Sequence, residues 1–192
     1  MLTIRQRDAV AALYPSQLVD ASSPQFAKAQ ESFWNALQRE NAPACFFQPT
    51  NAKEVSKALV EVIRANAPFA IKGGGHSSNI EGSSIHNGFQ FDLCKLNHVR
   101  IAENRQTVDV GPGQRWGAFY EELEKEGLIA VGGRDAGVGV PGFIFGGQFF
   151  LMSRSLVAST LLTRSICRWS VLLFQRSWLG YRQPCLCRYG TG

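Results

Sequence analysis

Helical and strand periodicities interleave along this 192-residue chain without a repeat, and that mixture predicts an α+β fold. Three observations carry it. After Thr50, the residues Val55, Ala58, Leu59, Val62 and Ile63 recur at i, i+3, i+4, i+7 and i+8, the spacing of one buried helix face, while Lys53, Glu54, Lys57 and Glu61 are left to solvent. Phe89, Phe91 and Leu93 alternate with Gln90 and Asp92, as Val108 and Val110 do with Thr107 and Asp109, the period of strands buried on one face. Pro68 resets the chain to an extended form, so Phe69-Ala70-Ile71 reads as a short strand delivering the run Lys72-Gly73-Gly74-Gly75-His76-Ser77-Ser78. Parallel pairing is expected around Phe69 and antiparallel hairpins from Phe89 onward, in a mixed sheet with flanking helices.

The remaining elements follow the same logic. Ser23 caps a single lead-in helix whose Phe26, Ala29, Phe33 and Leu37 share one face, and Asn41-Ala42-Pro43 ends it. Trp116, Phe119, Tyr120 and Leu123 return to helical spacing, as a core stripe rather than a ring-stacking surface, and Gly127 closes that helix in the left-handed conformation.

Composition narrows the function classes. A hydrophobic content of 45% is that of a globular chain. The net charge of +5 would suit a polyphosphate partner, but all fifteen acidic residues lie at or before Asp135, and the excess comes from the arginines between Arg154 and Arg188. Nucleic acid is therefore not expected as a partner. Arg164, Arg168 and Arg176 interrupt the only apolar stretch that approaches membrane-spanning length, so no membrane partner is expected either. The start Met1-Leu2-Thr3-Ile4-Arg5-Gln6-Arg7-Asp8 lacks an apolar signal core, which leaves the chain as given inside the cell. Cys185-Leu186-Cys187, and Cys94 with His98 and His86, are incomplete metal sets, and no metal is expected.

The glycine run carries the chemistry. Consecutive residues without a Cβ let the main chain curl with its N–H groups converging on an anion, and His76 stands at the edge of that cradle with a nitrogen that is nucleophilic when neutral. A nucleotide loop and a glycine-rich turn with a surface histidine are both open on these residues alone. Gly137-Val138-Gly139-Val140-Pro141-Gly142 matches a dinucleotide pattern literally. That reading is rejected, because no acidic residue follows to meet a ribose.

Several segments in register resemble one family. These are Phe33-Trp34, Phe46 to Val55, Lys72 to Asn79, Phe91 to Asn97, Val110 to Gly117, Gly132-Gly133-Arg134, and Val138 to Gly147. Together they resemble the N-terminal part of the PCMH-type FAD-binding domain of vanillyl-alcohol oxidase and berberine-bridge-enzyme-like flavoproteins, and most of all the fungal FAD-linked oxidoreductases of secondary metabolism. The resemblance implies FAD as cofactor, held by Lys72, Gly73, Gly74, Gly75, His76, Ser77 and Ser78, and by Gly133, Arg134, Val138, Gly139, Gly142, Gly146 and Gly147. It implies a covalent bond from His76 to the 8α carbon of the flavin. Asp135 occupies the place where some relatives carry a second, cysteinyl link, so a double linkage is not expected.

By the same resemblance the enzyme would oxidise an alcohol, amine or related carbon centre of a small-molecule substrate and pass the electrons to dioxygen. No catalytic base can be named, since the family places it in or beyond a region this chain lacks, and members of the family are often secreted. The expected organisation is a lead-in helical segment at 1–40, a partial FAD-binding domain at 41–150, and an aberrant, unstructured tail at 151–192. That tail has six arginines and no other charged residue, as a frame change, retained intron or mispredicted exon would give, or else it is a basic interaction tail. The alternative to a truncated oxidoreductase is an inactive product with at most weak affinity for FAD.

Overall fold

The computed structural model describes residues 10–146 and the backbone of 169–175. Two four-stranded sheets stand side by side, and the α+β expectation holds. The first has the order β1-β2-β4-β3, from Leu18–Asp20, Cys45–Phe47, Phe89–Asp92 and Phe69–Lys72. Strand β1 runs antiparallel to β2, whereas β2 and β3 both flank β4 in parallel. The second has the order β5-β6-β8-β7, from Val99–Ile101, Thr107–Val110, Trp169–Gln175 and Leu128–Ala130, and is antiparallel throughout. Strand β1 adds an antiparallel pair that the sequence did not predict, and the antiparallel hairpins expected from Phe89 onward begin one strand later, at β5.

The reason lies in β4. It occupies the middle of its sheet, paired in parallel at both edges, and it is buried on both faces, not one. Its polar residues find partners inside the protein, with Gln90 Oε1 left unpaired among the described residues. Gln90 Nε2 donates to the carbonyls of Ala70 and Ser83, and Asp92 accepts from Gln48 Nε2 at 3.0 Å and from Lys72 Nζ at 3.0 Å. Lys72 and Asp92 are each only 2% exposed, and Lys72 also donates to Ser32 Oγ and lies over the Phe33 ring.

The lead-in helix is broken in two. Pro24–Glu31 forms α1 under a Ser23 cap, and Ala36–Glu40 forms α2 under an Asn35 cap, with Ser32 to Asn35 between them. The break buries Phe33 against the first sheet and points the Trp34 N–H at the Gly75 carbonyl, 3.0 Å away. Leu37, placed on the apolar face by its spacing, is exposed.

Helix α3, Ala52–Arg64, buries Ala58 and Val62 as expected, but its stripe is narrower than the spacing suggests, and Ile63 faces solvent. Helix α4, Trp116–Lys125, matches its stripe closely: Trp116, Phe119 and Leu123 join Val108, Val110, Leu128 and Val140 in the core of the second sheet. Gly127 ends it at φ +65, as expected. Helix α5, Val140–Phe145, follows Gly139. Trp169–Gln175 falls in the segment expected to be an unstructured tail, and it is a strand here; the rest of 151–192 and Gly147 lie outside the described residues.

Replacing Asp92 by Asn leaves Lys72 buried without its counter-charge. The expected loss is about 3–5 kcal/mol of unfolding free energy, read as a shift of the urea midpoint, and an unshifted midpoint would show the pair to be dispensable.

Candidate FAD site

Strand β3 ends at Lys72, and the chain returns to the first sheet at β4, but the glycine run between the two strands meets the segment before α5. The meeting is a backbone-to-backbone contact. A Cβ at Gly139 would stand 2.5 Å from Gly74 N, and one at Gly73 would stand 3.0 Å from the Pro112 carbonyl oxygen, so both loops require glycine to meet. Arg115, at the start of α4, spans the same joint. Its guanidinium donates to the Gly137 carbonyl at 2.8 Å and to the Ser32 carbonyl at 3.3 Å.

Beside this joint lies a cleft of about 1050 Å³, at the upper end of the size range of small-molecule sites. Gly73, Gly74, Gly75, His76, Ser77 and Ser78 line one side, and Gly133, Arg134, Val138, Gly139, Gly142 and Gly146 another. An apolar wall of Val55, Leu59, Ile71, Leu93 and Leu96 completes it, which is why the stripe on α3 is not wholly buried. Of the residues expected at the cofactor, Lys72 is the exception. Its ammonium is held in the buried pair with Asp92, away from the cleft, and it is not available to a phosphate.

The loop's hydrogen bonding is one-sided. Its carbonyls are tied back to α2 and the break before it: Gly75 O accepts from Trp34 N, Ser77 O from Gln38 Nε2, and Ser78 O from Asn35 Nδ2. Gln38 is itself fully buried and accepts from Ser83 Oγ at 2.6 Å. The N–H groups of Gly74 to Ser78, by contrast, donate to no acceptor among the described residues. Gly75 has φ +70, which turns successive peptides so that their N–H groups can converge. Five unspent donors along a cleft wall fit a pyrophosphate, and Arg134 is exposed on the opposite side to add a charge.

His76 sits half-buried at the cleft. Its ring stacks on Trp34, with centroids 5.0 Å apart and planes 18° from parallel. Nε2 lies against Gly137, where an added Cβ would be 3.1 Å from it and 3.3 Å from Asp135 Oδ1. Desolvation holds the imidazole below its ordinary pKa, with Asp135 opposing that shift and Arg115 adding to it, so His76 is neutral at pH 7. A neutral ring beside a flavin is competent as a nucleophile.

Trp34, Arg115 and Gln38 were not named as site residues from the sequence, although Trp34 and Arg115 lie in segments that carry the family resemblance. Trp34 had a signal: it is a large aromatic placed out of phase with the apolar face beside it. Gln38 and Arg115 had none, because a buried amide and an interdomain guanidinium look like any surface polar residue in one dimension. His86 and His98 take no part in the cleft, and no cluster of metal-binding side chains occurs among the described residues. No helix among them is long and apolar enough to cross a membrane.

A family model described as FAD binding domain matches residues 43–154. The chain is 41% identical over 132 residues to the FAD-dependent monooxygenase yanF of Aspergillus niger, covering 68% of this chain and 23% of that protein. It thus spans about a quarter of the length of the curated relatives it matches. Among solved structures, a glucose-oxidase variant of the grass pollen allergen Phl p 4 superposes with a TM-score of 0.73 at 19% identity, covering 88% of this chain and 44% of that one. Glucooligosaccharide oxidase of Acremonium strictum, studied for its 6-S-cysteinyl, 8α-N1-histidyl FAD, superposes at 0.60 with 21% identity, covering 73% and 30%. The fold, the one-sided glycine loop and these matches agree: the chain belongs to the PCMH-type FAD-binding family of FAD-dependent oxidoreductases, and its cofactor is FAD.

Proposed function

We propose that this chain supplies the pyrophosphate cradle and the covalent anchor of a flavoenzyme that oxidises a small molecule of secondary metabolism at an alcohol, amine or related carbon centre. The observation that carries the reading is the row of unspent N–H groups from Gly74 to Ser78, ending beside a neutral histidine. The amides would hold the pyrophosphate and Arg134 would add charge to it. The main chain from Gly133 to Gly139, with Gly142 and Gly146, would lie along the rest of the cofactor.

When bound, FAD would supply the redox chemistry, serving as the two-electron acceptor and passing the electrons on to dioxygen. His76 would offer the lone pair for an N–C bond to the 8α ring methyl, with the methyl and the imidazole N–H each giving up a proton and the electron pair going to the flavin. The names of the fungal relatives favour a second reading of the oxygen step, insertion into the substrate instead of peroxide release. Peroxide counted against oxygenated product, over a panel of alcohols, amines and phenols, separates the two.

With FAD added, the acid-denatured protein is expected to stay yellow and to gain the mass of the nucleotide, and His76→Ala to do neither; an adduct that survived the substitution would remove His76 from this role. Adduct formation should be level at and above neutral pH and fall only as pH drops through the lowered pKa of His76, because protonation removes the lone pair. A rate that fell on going from pH 6 to pH 8 would contradict a neutral nucleophile. Gly142→Ala meets open space and sits inside a helix, so its stability should be unchanged or raised by about 1 kcal/mol. Its methyl would enter the cleft, and weaker FAD binding by fluorescence quenching, at unchanged stability, is the expected result.

A further inference from the structure

The geometry points to Trp34 as a positioning residue for His76, its indole fixing the plane of the imidazole at the edge of the cleft. This rests on the reading of His76 as the flavin anchor. Trp34 is 57% exposed, and a solvent-facing tryptophan that adds nothing to the core needs another reason for being held in place.

It is held at two points. Its N–H donates to Gly75 O at 3.0 Å, one residue before the histidine, and its carbonyl accepts from Arg39 Nη2 at 3.1 Å. Arg39 Nε also donates to the Phe33 carbonyl at 2.6 Å, so two successive carbonyls of the break between α1 and α2 are fixed from one guanidinium. The indole face covers one face of the imidazole, and Gly137 with Asp135 closes the Nε2 edge. The charged groups facing His76 are Asp135 from the second glycine segment and Arg115 from the start of α4. A ring covered on one face and bounded at one edge has less freedom to turn about χ2. A nucleophile must meet the ring methyl in one orientation, so confinement before the cofactor arrives shortens the search for a reactive geometry.

The test uses the full chain with Trp34→Ala and Trp34→Phe, each checked for fold by circular dichroism; the exposure of Trp34 predicts that both fold. In the flavin-free protein the Cε1 proton of His76, assigned by its absence in His76→Ala, should be shifted upfield by the indole ring current. Trp34→Ala should lose that shift and Trp34→Phe should keep part of it. On adding FAD, the alanine variant should form adduct more slowly, by up to about tenfold for a stack worth about 1.4 kcal/mol, and the phenylalanine variant at close to the parent rate. A His76 resonance unmoved by Trp34→Ala, or equal adduct rates in all three proteins, overturns the inference. Should the parent chain form no adduct at all, the covalent reading of His76 falls, and the ring-current result alone decides whether Trp34 positions the ring.

Discussion

The close approach of Gly74 to Gly139 is the constraint on which the rest of the molecule depends. Each sheet has its own apolar core, one built around Phe47, Phe89 and Phe91 and the other around Trp116, Phe119 and Leu123. Neither core reaches the other through large side chains at this point. Two backbones meet instead, and the meeting sets how far apart the cleft walls stand. A side chain on either glycine would act as a wedge at the pivot. Arg115 spans the same joint with hydrogen bonds to Gly137 and Ser32, so the angle between the walls is set by main chain and by one guanidinium.

Charge is placed with the same economy of position. Lys72 stands directly before the glycine loop, where a cation could serve a phosphate, yet it neutralises Asp92 inside the first sheet. On the proposed reading an anion in the cleft would meet peptide dipoles, with Arg134 as the exposed cation on the other wall. Dipoles fixed by carbonyls tied to α2 need not reorganise when an anion arrives, whereas a flexible ammonium would. Gln38 is central to this arrangement. It is fully buried, it holds the Ser77 carbonyl, and it receives Ser83, so the loop's back side is anchored to the protein interior.

Much of this was legible in the sequence wherever a pattern was local. The stripe from Trp116 to Leu123 and the strand before Gly73 follow from spacing, and the meeting of both glycine segments at one cleft was implied by the family resemblance. The misreadings share a cause: they concern partners distant in sequence. Nothing near Lys72 reveals that Asp92 will lie beside it, since parallel pairing of β3 with β4 creates that contact. Alternation in β4 suggested one wet face, but a central strand covered on both sides can keep Gln90 and Asp92 dry when each finds hydrogen-bond partners. Phe33 and Leu37 fit a continuous helix by period. The break between them serves the glycine loop, through the Trp34 to Gly75 bond, and that demand comes from a segment forty positions away.

The order of the second sheet has a consequence for how the chain is made. Strand β8 lies between β6 and β7, with Val110 opposite Trp169 and Leu128 opposite Gln175. During synthesis both inner edges of β6 and β7 emerge long before the strand that joins them. At the ordinary pace of translation they wait a few seconds with unpaired N–H and C=O groups, next to a core that contains Trp116 and Phe119. Such a nascent chain is a substrate for chaperones that bind extended apolar segments. The second sheet can close only once residue 175 has left the ribosome, well after the first sheet has all four of its strands.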